Sequence, residues 1–310
     1  MIFLRTLLIS VVLLTAACDG EERGSGSEGV EATESEKALV VTSNYPLYFF
    51  ATRITQGVDA APEIVLPDID GDPALWIPSA EQIQLLQSAD IIFLNGAGAE
   101  PWLNLISIDR RRLVDTSLNI ADRLLPLEDS MQHQHGPEGE HSHQGTAFTT
   151  WLDPELAIVQ ARAVTDALIE VAPKGEAALR DNMEKLEQNL MALDAQLAEV
   201  FAKLAGRPVL FSHPVYQYLQ RHYNINGISV HWETDEEPSM PDWIELQQIL
   251  ASHPATIMIW EDQPLHETVE RLVNAGIRSI PFHTAVNPPD EGDYLSVMRE
   301  SANRLELFLD

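Results

Sequence analysis

Four short apolar runs in the last third of this 310-residue chain each end on a side chain that can bind a metal ion. Val209 to Ser212 leads into His213. Ile228 leads into His231, with Glu233 just beyond. Thr256 to Trp260 leads into Glu261 and Asp262, and Arg278 to Phe282 leads into His283. Imidazole nitrogen with carboxylate oxygen is the donor set of zinc, manganese and related divalent ions. A single histidine at such a place is more often structural than a ligand, so the weight lies in several ends converging. The set His213, Glu261 and His283 is the candidate metal site. Glu233 and Asp235 to Glu237 read as a solvated charge run.

A second group is compact in sequence. Met131 to Gly145 carries His133, His135, His141 and His143 among Gly, Gln and Glu. The segment has no apolar period, so it reads as a mobile loop. Histidine-rich tracts hold metal loosely and release it easily, which makes these four accessory ligands. The other reading is a polar loop of no consequence.

The chemistry on offer is binding. The chain has no HExxH, no GxSxG and no Walker loop, so it does not read as an enzyme. Its formal net charge is -29. Such a chain repels phosphate backbones, which argues against nucleic acid, and it favours cations as partners. The one cysteine, Cys18, excludes an internal disulfide and a Cys-based zinc cage.

The elements that must place these ligands alternate short apolar strands with amphipathic helices. In the first half, 38–42, 63–66 and 91–94 read as strands, and 46–54 and 79–88 as helices. Ser79 with Gln82 forms a capping box. Asp153 and Pro154 mark another helix start. Glu176 to Leu204 carries Leu179, Met183, Leu186, Leu190, Leu193, Leu197, Val200 and Leu204 at helical spacing, stopped by Gly206 and Pro208. Such a helix spans about 40 Å. Two readings are open, a backbone joining two lobes or a coiled-coil partner. In the second half, helices are expected at 214–223, 241–251, 266–274 and 294–308. The fold class is α/β, with parallel sheets in two βα lobes and ligands beyond the carboxyl ends of the strands.

The first residues are a targeting segment. Arg5 precedes the apolar run Leu7 to Leu14, then come the small residues Thr15, Ala16 and Ala17, then Cys18. This is a secretory signal, too short to span a bilayer comfortably. LTAAC also resembles a bacterial lipobox, in which Cys18 would take the lipid and hold the chain at the membrane surface. Asp19 to Lys37 lacks the apolar residues to fold and reads as a tether. The expected divisions are a signal at 1–17, lipidated Cys and tether at 18–37, an N-terminal lobe at 38–175, a linking helix at 176–206 and a C-terminal lobe at 207–310.

Longer motifs carry a family resemblance. VVTSNYPLYFFATRI (40–54), SADIIFLNGAGAEPWL (88–103), WLDP (151–154) after a His-rich loop, and SHPVYQYLQRHYNI (212–225) resemble the zinc- and manganese-binding proteins of bacterial ABC importers. The resemblance implies a metal cleft between two lobes joined by a rigid helix. It also implies a monomeric, exported lipoprotein that delivers zinc, or manganese next, to a membrane permease. His213 matches a family ligand, and His283 lies at or beside another. Two family histidines are missing, because Ala74 and Thr149 stand in their places. Three explanations follow. The remaining groups bind metal with water or a loop histidine; or the cleft takes a metal chelate, with Trp76 as an apolar wall; or tight binding is lost and the protein is an adhesin or metal-buffering lipoprotein.

Overall fold

Leu39–Thr42 is apolar and largely β-branched, which suits a strand covered on both faces. In the computed structural model it forms β1. The structure describes residues 37–69, 71, 73–127, 132–134, 140–142 and 145–310. The signal, Cys18, most of the tether, His135 and His143 lie outside the described residues. After β1 come α1 (Tyr45–Thr55), β2 (Glu63–Val65), α2 (Ala80–Ser88), β3 (Ile91–Leu94) and β4 (Leu113–Asp115). The strands make one parallel sheet in the order β2-β1-β3-β4. The Ser79–Gln82 capping box opens α2 as expected. β4 was not expected: it is three residues long and follows three arginines, so no apolar run announces it.

The His-rich segment departs from the expected irregular loop. β5 (Gln132–Gln134) and β6 (Glu140–Ser142) pair antiparallel, with His133 opposite His141 in register. Asp153 then caps α3 (Pro154–Val171), accepting from the amides of Glu155 and Leu156.

α4 (Glu176–Ala202) packs against α1 and α3 on one side and α8 (Tyr294–Leu309) on the other. Its apolar stripe is buried and belongs to one continuous core that runs from β1 to α8. Each leucine so buried contributes about 2 kcal/mol. The helix is therefore a shared spine of the two lobes and not a coiled-coil partner.

The second lobe contains β7 (Val209–Phe211), α5 (Gln217–His222), β8 (Gly227–Ser229), α6 (Met240–Ser252), β9 (Ile257–Trp260), α7 (His266–Asn274) and β10 (Arg278–Pro281). Its parallel sheet runs β10-β9-β7-β8. Read from the other edge, that is the strand order of the first sheet, a repeat of topology that no repeat in sequence betrays. α5 begins three residues later than expected. Pro214 follows the strand end, and the Val215 amide bonds back to the His213 carbonyl, so the chain turns before it coils.

Candidate metal centre

β7 and β9 are neighbours in the sheet, but β8 and β10 follow them on opposite sides. Their chains diverge at the carboxyl ends, which opens the crevice where α/β sheets place ligands. His213 lies two residues beyond β7, and Glu261 follows β9 at once. The structure brings them together, with His213 Nδ1 3.3 Å from Glu261 Oε1. Both side chains stay about a quarter exposed, at 26% and 28%. Ser212, just before the histidine, is fixed by donating its amide to the Ile259 carbonyl at 2.9 Å.

The end of β8 joins the same group. Past the strand, the Val230 amide donates to Phe211 O at 2.8 Å and the Trp232 amide to Ser212 O at 2.7 Å. This backbone contact holds 230–232 beside His213. Trp232 turns into the core against Trp243 and Trp260. Extended backbone alternates its side chains, so His231 and Glu233 take the opposite face. The His213 and His231 rings meet edge to face with centroids 6.0 Å apart. His213 Nε2 is 3.7 Å from Glu233 Oε1. Glu233, read from sequence as part of a solvated run, thus faces the candidate ligand, although 41% of its side chain is exposed.

His283 stands one strand further along. The Phe282 amide reaches Trp260 O at 2.7 Å, and the His283 amide reaches Ser301 Oγ at 3.1 Å. The ring lies between Asp262, 3.9 Å from Nδ1, and the Arg304 guanidinium, 3.5 Å from Nε2. With Glu261, Asp262, Asn287 and Glu300, these two line a cavity of about 520 Å³. Glu261 and Asp262 are consecutive, so the His213 and His283 pairs sit side by side at the tip of β9.

The N-terminal lobe offers different chemistry. Thr149 is 4% exposed, and its hydroxyl donates to the Val215 carbonyl at 2.5 Å. It is a tie between lobes and not a donor aimed at an ion. Ala74 sits in a single 3-10 turn, Pro73–Leu75. Nearby, Asn287 reaches across to Gly71 O at 2.9 Å, beside a cavity of about 270 Å³ lined by Asn44, Tyr45, Pro73 and Pro288. Trp76 does not wall the cleft. It is buried edge to face on Trp102, with ring centroids 5.4 Å apart, in the core of the first lobe.

The carboxyl ends of β1 and β3, the equivalent crevice of the first sheet, are filled by Glu100. Its carboxylate accepts from Ser43 Oγ at 2.7 Å, the Asn95 amide at 2.7 Å and the Gly96 amide at 3.1 Å. Burial pushes the carboxyl up to about 7 against the downward pull of those donors. Gly96 has φ 74°, and a Cβ there would lie 1.9 Å from Asp115 Oδ1. The NGAGAEPWL stretch is thus a self-satisfied plug, with the Glu100 carboxylate turned inward onto Ser43, Asn95 and Gly96.

One further cluster lies at the lobe junction. Asp153, Glu155 and His222 bring three ligand atoms within 4.8 Å of one another. His222 Nδ1 is 3.2 Å from Asp153, and its Nε2 is 2.8 Å from Asp194 on α4. The hydrogen bond to Asp153, with further help from Asp194, raises the imidazole to about 9 against the effect of burial. It is a cation at neutral pH, which suits an ion pair and opposes metal ligation. Sequence reasoning missed it because its partners lie 69 and 28 residues away.

Comparison with known proteins agrees with this architecture. Over 244 residues the chain is 25% identical to the high-affinity zinc uptake system protein ZnuA of Yersinia pestis, covering 73% of this chain and 76% of that one. Over 309 residues it is 23% identical to the ZnuA of Bacillus subtilis, covering 97% and 95%. The crystal structure of the metal-dependent lipoprotein YcdH from Bacillus subtilis superposes with a TM-score of 0.72 at 19% identity, covering 87% of this chain and 98% of that one. Residues 40–307 match the family described as zinc-uptake complex component A, periplasmic. That span takes in the spine helix and every candidate metal ligand from His133 to His283, and the chain belongs to this family.

Proposed function

We propose that this chain is the solute-binding component of an ABC importer, capturing a divalent metal ion, zinc first and manganese next, and presenting it to a membrane permease. The observation that carries this reading is His213 beside Glu261 at the crevice of the second sheet, 3.3 Å apart and open to solvent. His213 anchors the site, Glu261 is its carboxylate partner, and His283 is the candidate at the adjoining strand end. His133, His135, His141 and His143 gather ions from solution. Export as a lipoprotein anchored through Cys18 would place the site outside the membrane. Among the described residues no helix is long and apolar enough to cross a bilayer.

The work of such a protein is reversible binding, not bond breaking, and family membership supports that. Zinc titration of the parent and of His213→Ala tests it. Stoichiometric tight binding in the parent, lost in the variant, is expected; equal binding in both would refute the assignment. A second reading draws on Thr149 being committed to Val215. In it the cleft is degenerate and the His-rich segment alone buffers metal, so deleting 131–145 would remove all binding.

A further inference from the structure

The connection from β10 to α8 is fixed at both ends. At the first, the Trp151 indole donates its N–H to the Thr284 carbonyl at 2.8 Å, and Ala285 is buried in the continuous core. At the second, Asp293 caps α8, its carboxylate accepting from the Ser296 amide at 2.9 Å. Each end also carries a left-handed residue, Ala285 at φ 53° and Gly292 at φ 83°. That region is uncommon for alanine, and such residues cluster at ligand clamps and switches. Between the ends, Val286 leans on the core, while Pro288 and Pro289 stiffen the span and remove two amide donors. Among the described residues, 285–292 make one hydrogen bond to the rest of the chain, from Asn287 Nδ2 to the Gly71 carbonyl at 2.9 Å. Gly71 belongs to the first lobe, in the connection that follows β2.

This strap is the wall common to two cavities, because Asn287 and Pro288 line both. On one side, the cavity of about 270 Å³ reaches Asn44, Tyr45 and Pro73 of the first lobe. On the other, the cavity of about 520 Å³ reaches Glu261, Asp262 and His283. Resting on the metal-capture reading, we propose that 285–292 is a gate of the cleft and that Asn287 is its latch. With the latch made, the strap bridges the second lobe to the first. With it broken, the strap swings about Ala285 and Gly292, the two cavities merge, and a hydrated divalent ion gains passage to the second sheet's crevice. Asp290 and Glu291, exposed on the strap, draw cations to that passage. The other ties between the lobes are of a different kind. Trp151 to Thr284, Tyr218 to Ala147 and Tyr294 to Trp151 are buried, whereas Asn287 to Gly71 is exposed. A buried bond opens only with the core around it, while an exposed one exchanges with water at little net cost. The lobes thus stay fixed on the spine helix while the strap alone controls access.

The test is stopped-flow zinc exchange at the tightest site, with uptake and release each followed by a chromophoric chelator, in the whole protein, Asn287→Ala, Asn287→Leu and the control Asn303→Ala. Leucine keeps the branched shape of Asn287 without its donor. Asn303 accepts an exposed bond from Gln196 at 2.7 Å, away from the strap. Metal-free melting is measured alongside, and Asn287→Leu stands in if Asn287→Ala melts early. The latch joins protein to protein, so its loss raises the open fraction of loaded and empty protein alike. Both Asn287 variants are therefore expected to speed zinc uptake and release together, each by roughly fivefold, with the dissociation constant within about twofold of the parent and Asn303→Ala unchanged. Rates equal to the parent's in both variants would overturn the gate and leave the metal-capture reading standing. Faster release alone, with affinity weakened to match, would make Asn287 a group that holds the ion and would also overturn the gate. An absence of stoichiometric tight binding in the parent would overturn both.

Discussion

The hydroxyl of Thr149 donates to the carbonyl of Val215 across the junction of the two lobes, at 2.5 Å and almost fully buried. The resemblance to metal-binding relatives places a ligand histidine at this position. Here the same backbone site serves cohesion. Replacing Thr149 by Val keeps the shape but leaves the Val215 carbonyl without its donor. The expected cost is about 1–2 kcal/mol of stability, measured by urea unfolding, with zinc affinity unaltered.

His222 joins three elements, α5 through itself, α3 through Asp153 and α4 through Asp194. Its pKa is raised from 6.5 to about 9. The folded state therefore binds the proton more tightly than the unfolded one. The stabilisation is complete below 6.5 and is lost as the pH rises through about 9. His222→Ala should cost roughly 1–2 kcal/mol at neutral pH by removing the imidazolium shared by Asp153 and Asp194, with Asp153 keeping its two cap amides and Arg221 at 3.5 Å. The gap from the parent should narrow in unfolding curves taken above that upper value.

Glu100 has the same sign for a different reason. Burial lifts its carboxyl from 4.5 to about 7. Its contribution is present below 4.5 and is lost as the pH climbs through about 7. Glu100→Gln cannot ionise, so this part of the pH dependence should vanish from its stability profile. The variant should also be less stable than the parent in acid, because an amide N–H would face the Asn95 and Gly96 donors.

Bound zinc should stabilise the fold. At a free concentration 100 times the dissociation constant, the gain is about 2.7 kcal/mol, visible as a higher melting temperature. His213→Ala should show no such shift. Because imidazoles must be deprotonated to ligate, the shift in the parent should shrink as the pH falls below about 6.

Much of this could be read from residue order. The apolar runs 91–94 and 209–211 became buried strands, and the stripe from Leu179 to Val200 became the spine, because those patterns report burial directly. What escaped depends on contacts distant in sequence or on segments without an apolar period. β4 follows a basic run, and β5 and β6 lie in a polar one. Trp76 looked like a cleft wall but finds Trp102 in the first lobe's core. Glu233 looked solvated because its neighbours are acidic, whereas the ladder past β8 turns it toward His213. The pairing of His222 with Asp194 follows from how α4 lies against α5, which periodicity does not encode.

The most direct test is zinc titration by calorimetry of the protein beside a form lacking residues 131–145. Metal capture at the second sheet's crevice predicts that the shortened form keeps a single tight site, with only weaker additional binding removed. Loss of all binding on deletion would contradict it and leave the His-rich segment as the only metal ligand of the chain.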